Sequence, residues 1–153
     1  MVFVMRNARR WFFILVLGYL IAFGYNLMDA IKFPDAQLTI LNLWVSCFFL
    51  TLLIIGVRKS LRPKTGVFFI RASGLAMLAS MLIFILERLG SVGSQLVVID
   101  LLTNLQYPLF LAFIVPIFGF NYFLQFSYET FSAMGAIIYM IPLLASLLKR
   151  EQS

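Results

Sequence analysis

The stretch WFFILVLGYLIAFGYNLMDAI, residues 11–31, contains a single charged side chain, that of Asp29. The hydrocarbon core of a bilayer is about 30 Å thick, and a helix needs about 20 apolar residues to cross it. Four further stretches are similar in length and composition: residues 38–57, 67–87, 97–120 and 131–148. Because backbone amides in lipid have no water partners, such stretches must be helical. We therefore predict an all-α integral membrane helical bundle with five transmembrane helices, in one polytopic domain over residues 1–153.

Composition narrows the classes of function. Hydrophobic residues make up 63% of the chain and charged residues 12%, whereas soluble domains carry about 25% charged residues. The chain has no histidine, which is the usual general base and a common metal ligand, and its single cysteine, Cys47, cannot form a disulfide within the chain. The sequence shows neither a glycine-rich phosphate loop nor a nucleophile–base pattern. We predict a protein that is not an enzyme, with no catalytic residue, metal site or cofactor.

Basic residues lie near the predicted span ends and account for the net charge of +6. This placement favours anionic lipid headgroups as partners and argues against nucleic acid. The predicted headgroup contacts are Arg6, Arg9, Arg10, Arg58, Lys59, Arg62 and Lys64. Lys and Arg accumulate in cytoplasmic loops, so the N-terminus is expected inside. We predict a multi-pass protein of the bacterial cytoplasmic membrane.

Two points of topology stay open in the sequence. Five crossings would place Lys149 and Arg150 outside, against the charge rule. The alternative has four crossings plus a re-entrant segment or a hairpin within residues 97–148, with the C-terminus inside. At the other end, residues 22–24 loosely match a signal-peptidase site. Because the apolar stretch continues to Ile31, we expect an uncleaved span.

Small residues recur every four positions on two of the predicted spans. Gly18 and Ala22 lie on the first, and Ala72, Ala76 and Ser80 lie on the third. Such patterns let two helices approach closely. They predict a tight helix–helix contact, within this chain or with a partner.

Polar residues cluster towards the outer ends of the first and fourth spans. Asn26, Asp29 and Lys32 share one helical face, and Asp100 and Asn104 share another. One interpretation is that Asp29, Lys32 and Asp100 converge with two residues at the end of the third span on a polar patch that forms a binding or ion-entry site; those two residues are Glu87 and Arg88. The other is a rim of interfacial charges that pair with each other or meet water, which we favour because terminal charges avoid most of the burial cost.

Arg71 and Glu129 form a further candidate pair. Five crossings would place both residues at the inner membrane level, where a buried ion pair would fix helix register. The alternative is that Arg71 snorkels to the headgroups.

Two functions remain after these exclusions. The first is a non-enzymatic subunit or regulator of a larger membrane complex, docked to a membrane-protein partner through its small-residue faces. The alternative is a small homo-oligomeric transporter or channel-like protein whose path passes the polar residues of the first and fourth spans.

Overall fold

The computed structural model describes the backbone of residues 2–35, 37–59, 63–91 and 104–151. Side-chain environments are described for residues 10–35, 37–56, 70–88 and 104–145. These parts of the chain form helices and turns, with no strand among them. The helices are α1 (Val2–Lys32), α2 (Ile40–Lys59), α3 (Pro63–Ser91), α4 (Asn104–Leu124) and α5 (Tyr128–Glu151). The all-α prediction is confirmed.

Four of the described helical stretches are long and apolar enough to cross a membrane: Arg10–Lys32, Ile70–Arg88, Asn104–Leu124 and Tyr128–Ala145. The described part of α2, Ile40–Gly56, is also apolar but shorter. The outward faces of these helices expose large apolar side chains, including Leu78 (64%) and Trp44 (65%). Such surfaces suit a hydrocarbon environment, because water would penalise their exposure.

The turn between α1 and α2 is closed by local hydrogen bonds. The backbone N–H of Asp35 donates to the carbonyl oxygen of Lys32 at 2.8 Å. Thr39 precedes the first residue of α2, and Asn42 is three residues further on. Both the N–H (2.8 Å) and the hydroxyl (2.6 Å) of Thr39 donate to Asn42 Oδ1. Both bonds run from Thr39 to the Asn42 side chain, which resembles one half of a capping box, and the N–H of Asn42 donates to the backbone carbonyl oxygen of Thr39 at 3.1 Å. We call this end of the bundle, where α1 ends and α2 begins, the α1–α2 end.

The small-residue faces pack within the chain. Ala76 and Ser80 of α3 are buried, and a Cβ added to Gly135 of α5 would lie 3.2 Å from Ser80 Oγ. On α1, Gly18 is buried against Leu52 of α2, and Ala22 is also buried. Ala72 is half-buried. Close approach of the backbones explains why small residues occupy these positions.

Helix α4 is irregular in its middle. Residues 104–109 are α-helical, Phe110–Ile114 form a π-helical turn, Val115–Phe120 are 3-10 helical, and Asn121–Leu124 are α-helical again. Pro116 lies at the junction and has no N–H to donate, so a regular α-helix cannot continue through it. The N–H of Val115 instead reaches back to the carbonyl of Phe110.

Contacts with α5 show that α4 reverses direction. They are, from the start of α5 onwards, Tyr128 with Phe110, Phe131 with Phe118, Gly135 with Ile114, and Tyr139 with the carbonyl oxygen of Phe113. Along α5, the contacted α4 residues are therefore 110, then 118, 114 and 113. From 118 to 113 their numbers fall as α5 proceeds, so this part of α4 runs antiparallel to α5. The chain therefore enters the bundle, reaches an apex at residues 112–114, and returns.

Both ends of α4 lie at the α1–α2 end. Near its start, the Gln106 side chain donates to the Glu87 carboxylate at the end of α3. Near its end, Phe118 packs against Phe33, with ring centroids 5.5 Å apart. Both ends of α4 therefore lie on the same side of the bundle, although Asn104–Leu124 is itself long and apolar enough to cross a membrane. The physical reason is the interruption at Pro116, whose neighbouring backbone groups are satisfied by side chains of other helices.

Candidate functional site

Four polar side chains of α1 and α2 form a buried polar cluster, which we define as Asn26, Asp29, Asn42 and Ser46. Asn42 Nδ2 donates to Asp29 Oδ2 at 2.7 Å and to Asn26 Oδ1 at 3.2 Å. Asn26 Nδ2 donates to Ser46 Oγ at 2.9 Å. Asn26, Asn42 and Ser46 are fully buried, and Asp29 is half-buried. Buried polar groups stabilise only when they are bonded, and these bonds join α1 to α2.

The polar cluster also holds the returning half of α4. The Ser46 hydroxyl donates to the carbonyl oxygen of Pro116 at 3.0 Å and accepts the N–H of Gly119 at 3.1 Å. Asn26 Nδ2 lies 3.4 Å from the same Pro116 oxygen. One donor and two acceptor positions are all that a hydroxyl offers, and Ser46 uses all three. The 3-10 segment thereby obtains partners that its own geometry does not supply.

Two tyrosines bond the apex of α4. The Tyr19 hydroxyl donates to the carbonyl oxygen of Ala112 at 2.9 Å, and the Tyr139 hydroxyl donates to that of Phe113 at 2.6 Å. In a regular helix the Ala112 carbonyl would accept from residue 116, which is a proline here. Tyr19 therefore replaces the donor that Pro116 lacks. Non-helical backbone deep in a membrane protein is stable only when it is bonded in this way or lines a wet cavity.

We expect Tyr139→Phe to lower the free energy of unfolding by about 1–2 kcal/mol, because the Phe113 carbonyl would lose its buried donor. Tyr139 is 3% exposed. Tyr25→Phe is the matched control, since Tyr25 is 44% exposed. Thermal unfolding of both purified variants in one detergent checks this. Equal melting temperatures would contradict the assigned role of Tyr139.

The α1–α2 end also carries an exposed ion pair. Arg88 Nε lies 4.0 Å from Glu129 Oε2, and the Arg88 side chain is 69% exposed. This corrects the expected pair between Arg71 and Glu129. Arg71 is exposed and lies seventeen residues before Arg88 on α3, about 25 Å away at 1.5 Å per residue. Because α4 returns to its starting end, α5 begins beside the end of α3 instead of its start.

The predicted polar face is brought together only in part. Asn26 and Asp29 join the polar cluster, whereas Lys32 and Asn104 are exposed. Asp100 and Arg62 lie outside the described residues. The other predicted headgroup contacts are placed as follows: Arg10 is exposed at the start of the described side chains of α1, and only the helical backbone is described for Arg6, Arg9, Arg58, Lys59 and Lys64.

Sequence reasoning assigned no role to Asn42 and Ser46. Two signals mark them: polar residues four apart in an otherwise apolar stretch, and a Thr39-x-x-Asn42 pattern at a helix start. Gly119 was also missed. A Cβ there would overlap the backbone carbonyl of Asn42. The need for glycine arises from a contact between residues far apart in the chain, and no local pattern shows it.

A cavity of about 530 Å³ lies at the α1–α2 end. One wall is the α1–α2 turn, with Phe33, Gln37 and Leu38. The opposite wall is the end of α4, with Tyr122 and Gln125. No charged side chain lines it among the described residues.

The described residues contain no group of three or more acidic or cysteine side chains close enough to hold a metal ion. Comparison of the chain with protein-family models, curated proteins and solved structures finds no match. The functional conclusion therefore depends on the fold and on the geometry of the polar cluster and the cavity.

Proposed function

We propose that this chain is a non-enzymatic, multi-pass membrane subunit or regulator of a larger membrane complex. The observation that supports it is the use of the buried polar groups. The polar cluster and the two apex tyrosines are bonded to each other or to the α4 backbone. They stabilise the bundle and leave few buried groups, among the described residues, for proton transfer or ion coordination. Among the described residues, the Ser73 hydroxyl is the buried side-chain group without a partner.

The proposed partner surface differs from the one expected from the sequence. The small-residue faces pack within the chain, so docking uses a different face. Helix α2 presents Leu41, Trp44 and Phe48 on one exposed side, at helical spacing. Trp is enriched among the residues that anchor protein interfaces. We propose this side of α2 as the contact with a membrane-protein partner.

Photo-crosslinking in native membranes tests the subunit role. A photoreactive amino acid replaces Trp44, and a matched variant carries it at Leu78, which is equally exposed on α3. We expect one defined second protein to crosslink at position 44 and to co-purify in a mild detergent, with lipid adducts alone at position 78. Lipid adducts alone at both positions, with nothing co-purifying, would contradict the proposal.

We further propose a topology with four crossings, a re-entrant α4 and both termini in the cytoplasm of a bacterium. This places Lys149 and Arg150 on the same side as the other basic residues, where all can meet anionic headgroups. The charge rule and the path of α4 support the same arrangement.

Cysteine labelling distinguishes this topology from five crossings. In a Cys47→Ala background, Ser127→Cys in the exposed α4–α5 turn should react with a membrane-impermeant maleimide added to intact cells. Five crossings would place this turn inside, where it is protected until the cells are opened. Gln37→Cys is the control, because both topologies place it outside. Labelling at position 37 with protection at position 127 would rule out the re-entrant path.

The alternative is a small homo-oligomeric transporter or channel. The interrupted α4 favours it, because transporters build their sites from discontinuous helices. Asp29, half-buried in the polar cluster, would be its coupling carboxylate. Proton or cation flux in reconstituted vesicles, lost in Asp29→Asn and kept in Thr51→Ala at an exposed position of α2, would support it over the subunit role.

A further inference from the structure

The cavity at the α1–α2 end is preformed by hydrogen bonds within each wall. In the α1–α2 turn, the N–H of Asp35 donates to the carbonyl oxygen of Lys32. In the α4–α5 turn, Asn121 Oδ1 accepts the N–H of Phe126 at 2.9 Å, and Asn121 Nδ2 donates to the carbonyl oxygen of Phe126 at 3.1 Å. Asn121 is itself fully buried. Both walls are thus held in place without a ligand, which lowers the ordering cost of binding.

The groups facing each other across this cavity are uncharged and available. The side-chain amides of Gln37 and Gln125 make no hydrogen bond among the described residues, and neither does the Tyr122 hydroxyl. Gln125 adopts a left-handed backbone conformation, with φ 47°. A non-glycine residue in that region is strained, and such strain is often found at binding sites. Each amide offers two donors and an acceptor, so the two walls can bond one ligand together.

The lining, among the described residues, offers an ionised ligand no counter-charge. Phe33, Pro34 and Leu38 supply apolar surface, and no acidic or basic side chain is part of the lining among the described residues. An ionised ligand would lose hydration here without gaining a counter-charge. A neutral ligand with several hydroxyls and apolar C–H faces can bond the side-chain amides and also cover the apolar side chains of the cavity. The volume of about 530 Å³ lies within the range of about 300–1,000 Å³ that is usual for small-molecule pockets.

We infer that this cavity binds a neutral, hydroxyl-rich group, either a free sugar or the sugar headgroup of a lipid. Gln37 and Gln125 bond its hydroxyls, and Phe33 and Leu38 cover its C–H face. The inference goes beyond the proposed subunit role. Binding at this cavity requires only the folded chain, so its test does not depend on whether a partner protein is found.

The test uses the full-length protein in phosphatidylcholine nanodiscs. One set contains diglucosyl-diacylglycerol, a second receives free maltose, and a third contains phosphatidylglycerol as a charged comparison. The melting temperature and the apparent Kd are measured for the unaltered chain, for Gln37→Ala/Gln125→Ala and for Asn104→Ala. Both glutamines and Asn104 are exposed, so these substitutions leave the buried core unchanged.

We expect the glycolipid, maltose or both to raise the melting temperature of the unaltered chain and of Asn104→Ala. The double glutamine variant should bind at least about tenfold more weakly. Stabilisation by the glycolipid alone identifies a headgroup, and stabilisation by maltose identifies a free sugar. Lack of a shift with either sugar would overturn the inference. A shift that the double variant retains, or that phosphatidylglycerol produces equally, would also overturn it.

Discussion

Gly119→Ala should lower the melting temperature of the purified protein by roughly 6–12 °C, which corresponds to about 3 kcal/mol for a chain of this size. The added methyl group would overlap the backbone carbonyl of Asn42 and come within 2.6 Å of Ser46 Oγ. Neither can move freely. The carbonyl belongs to the first turn of α2, and the hydroxyl is held by three hydrogen bonds. Relief therefore requires α4 to separate from α2.

Two glycines provide matched controls for this prediction. A Cβ at Gly24 or at Gly74 would meet no atom within 4 Å. Gly24→Ala and Gly74→Ala should leave the melting temperature unchanged or raise it slightly, because alanine favours helix. Thermal unfolding of all three variants in the same detergent is the measurement. A Gly119→Ala protein as stable as the two controls would show that α4 does not pack on α2 at this point.

Asn42→Ala should lower the free energy of unfolding by about 3 kcal/mol, because it leaves several buried groups without partners. Asn42 accepts two bonds from Thr39 and donates to Asn26 and Asp29. The substitution therefore removes the cap of α2 together with the link between α1 and α2. A helix cap alone contributes about 1 kcal/mol, so most of the expected loss comes from the link to α1.

A double-mutant cycle measures the part of the link to α1 that runs through Asp29. Asn42→Ala and Asp29→Ala are measured singly and together, with Asn104→Ala as the control at an exposed amide. Because Asn42 Nδ2 and Asp29 Oδ2 are 2.7 Å apart, we expect a coupling energy of about 1 kcal/mol or more. Additive effects would show that the two side chains act independently and that the polar cluster is not a connected network.

The path of α4 shows where sequence reasoning ends. Residues 97–120 are apolar enough for a crossing helix, and the same composition suits a segment buried inside the bundle. Whether this segment crosses the bundle or turns back within it depends on hydrogen bonds between residues far apart in the chain. Tyr19 and Ala112 are 93 positions apart, and Asn26 and Pro116 are 90 apart. Pro108 and Pro116 are a local sign of an interrupted helix within this stretch, and Lys149 and Arg150 favour an inner C-terminus. Neither signal specified the partners of the interrupted backbone.

The partner of Glu129 in its ion pair likewise depended on the tertiary structure. The charge of Glu129 and its place at the start of a helix were visible in the sequence, but its partner depended on which end of α3 it would meet. That end was set by the reversal of α4, so one difference in topology replaced Arg71 by Arg88. The shared face of Asn26 and Asp29 on α1, by contrast, follows from helical periodicity, which is a local property of the sequence.

The length and composition of the apolar stretches were enough to predict, from the sequence alone, helices that suit a membrane. These properties add up residue by residue and need no knowledge of neighbours. The reversal of α4, the requirement for glycine at position 119 and the cavity between the two turns became visible only in the folded bundle. Each of them depends on hydrogen bonds and steric contacts between residues far apart in the chain, for which local hydropathy carries no information.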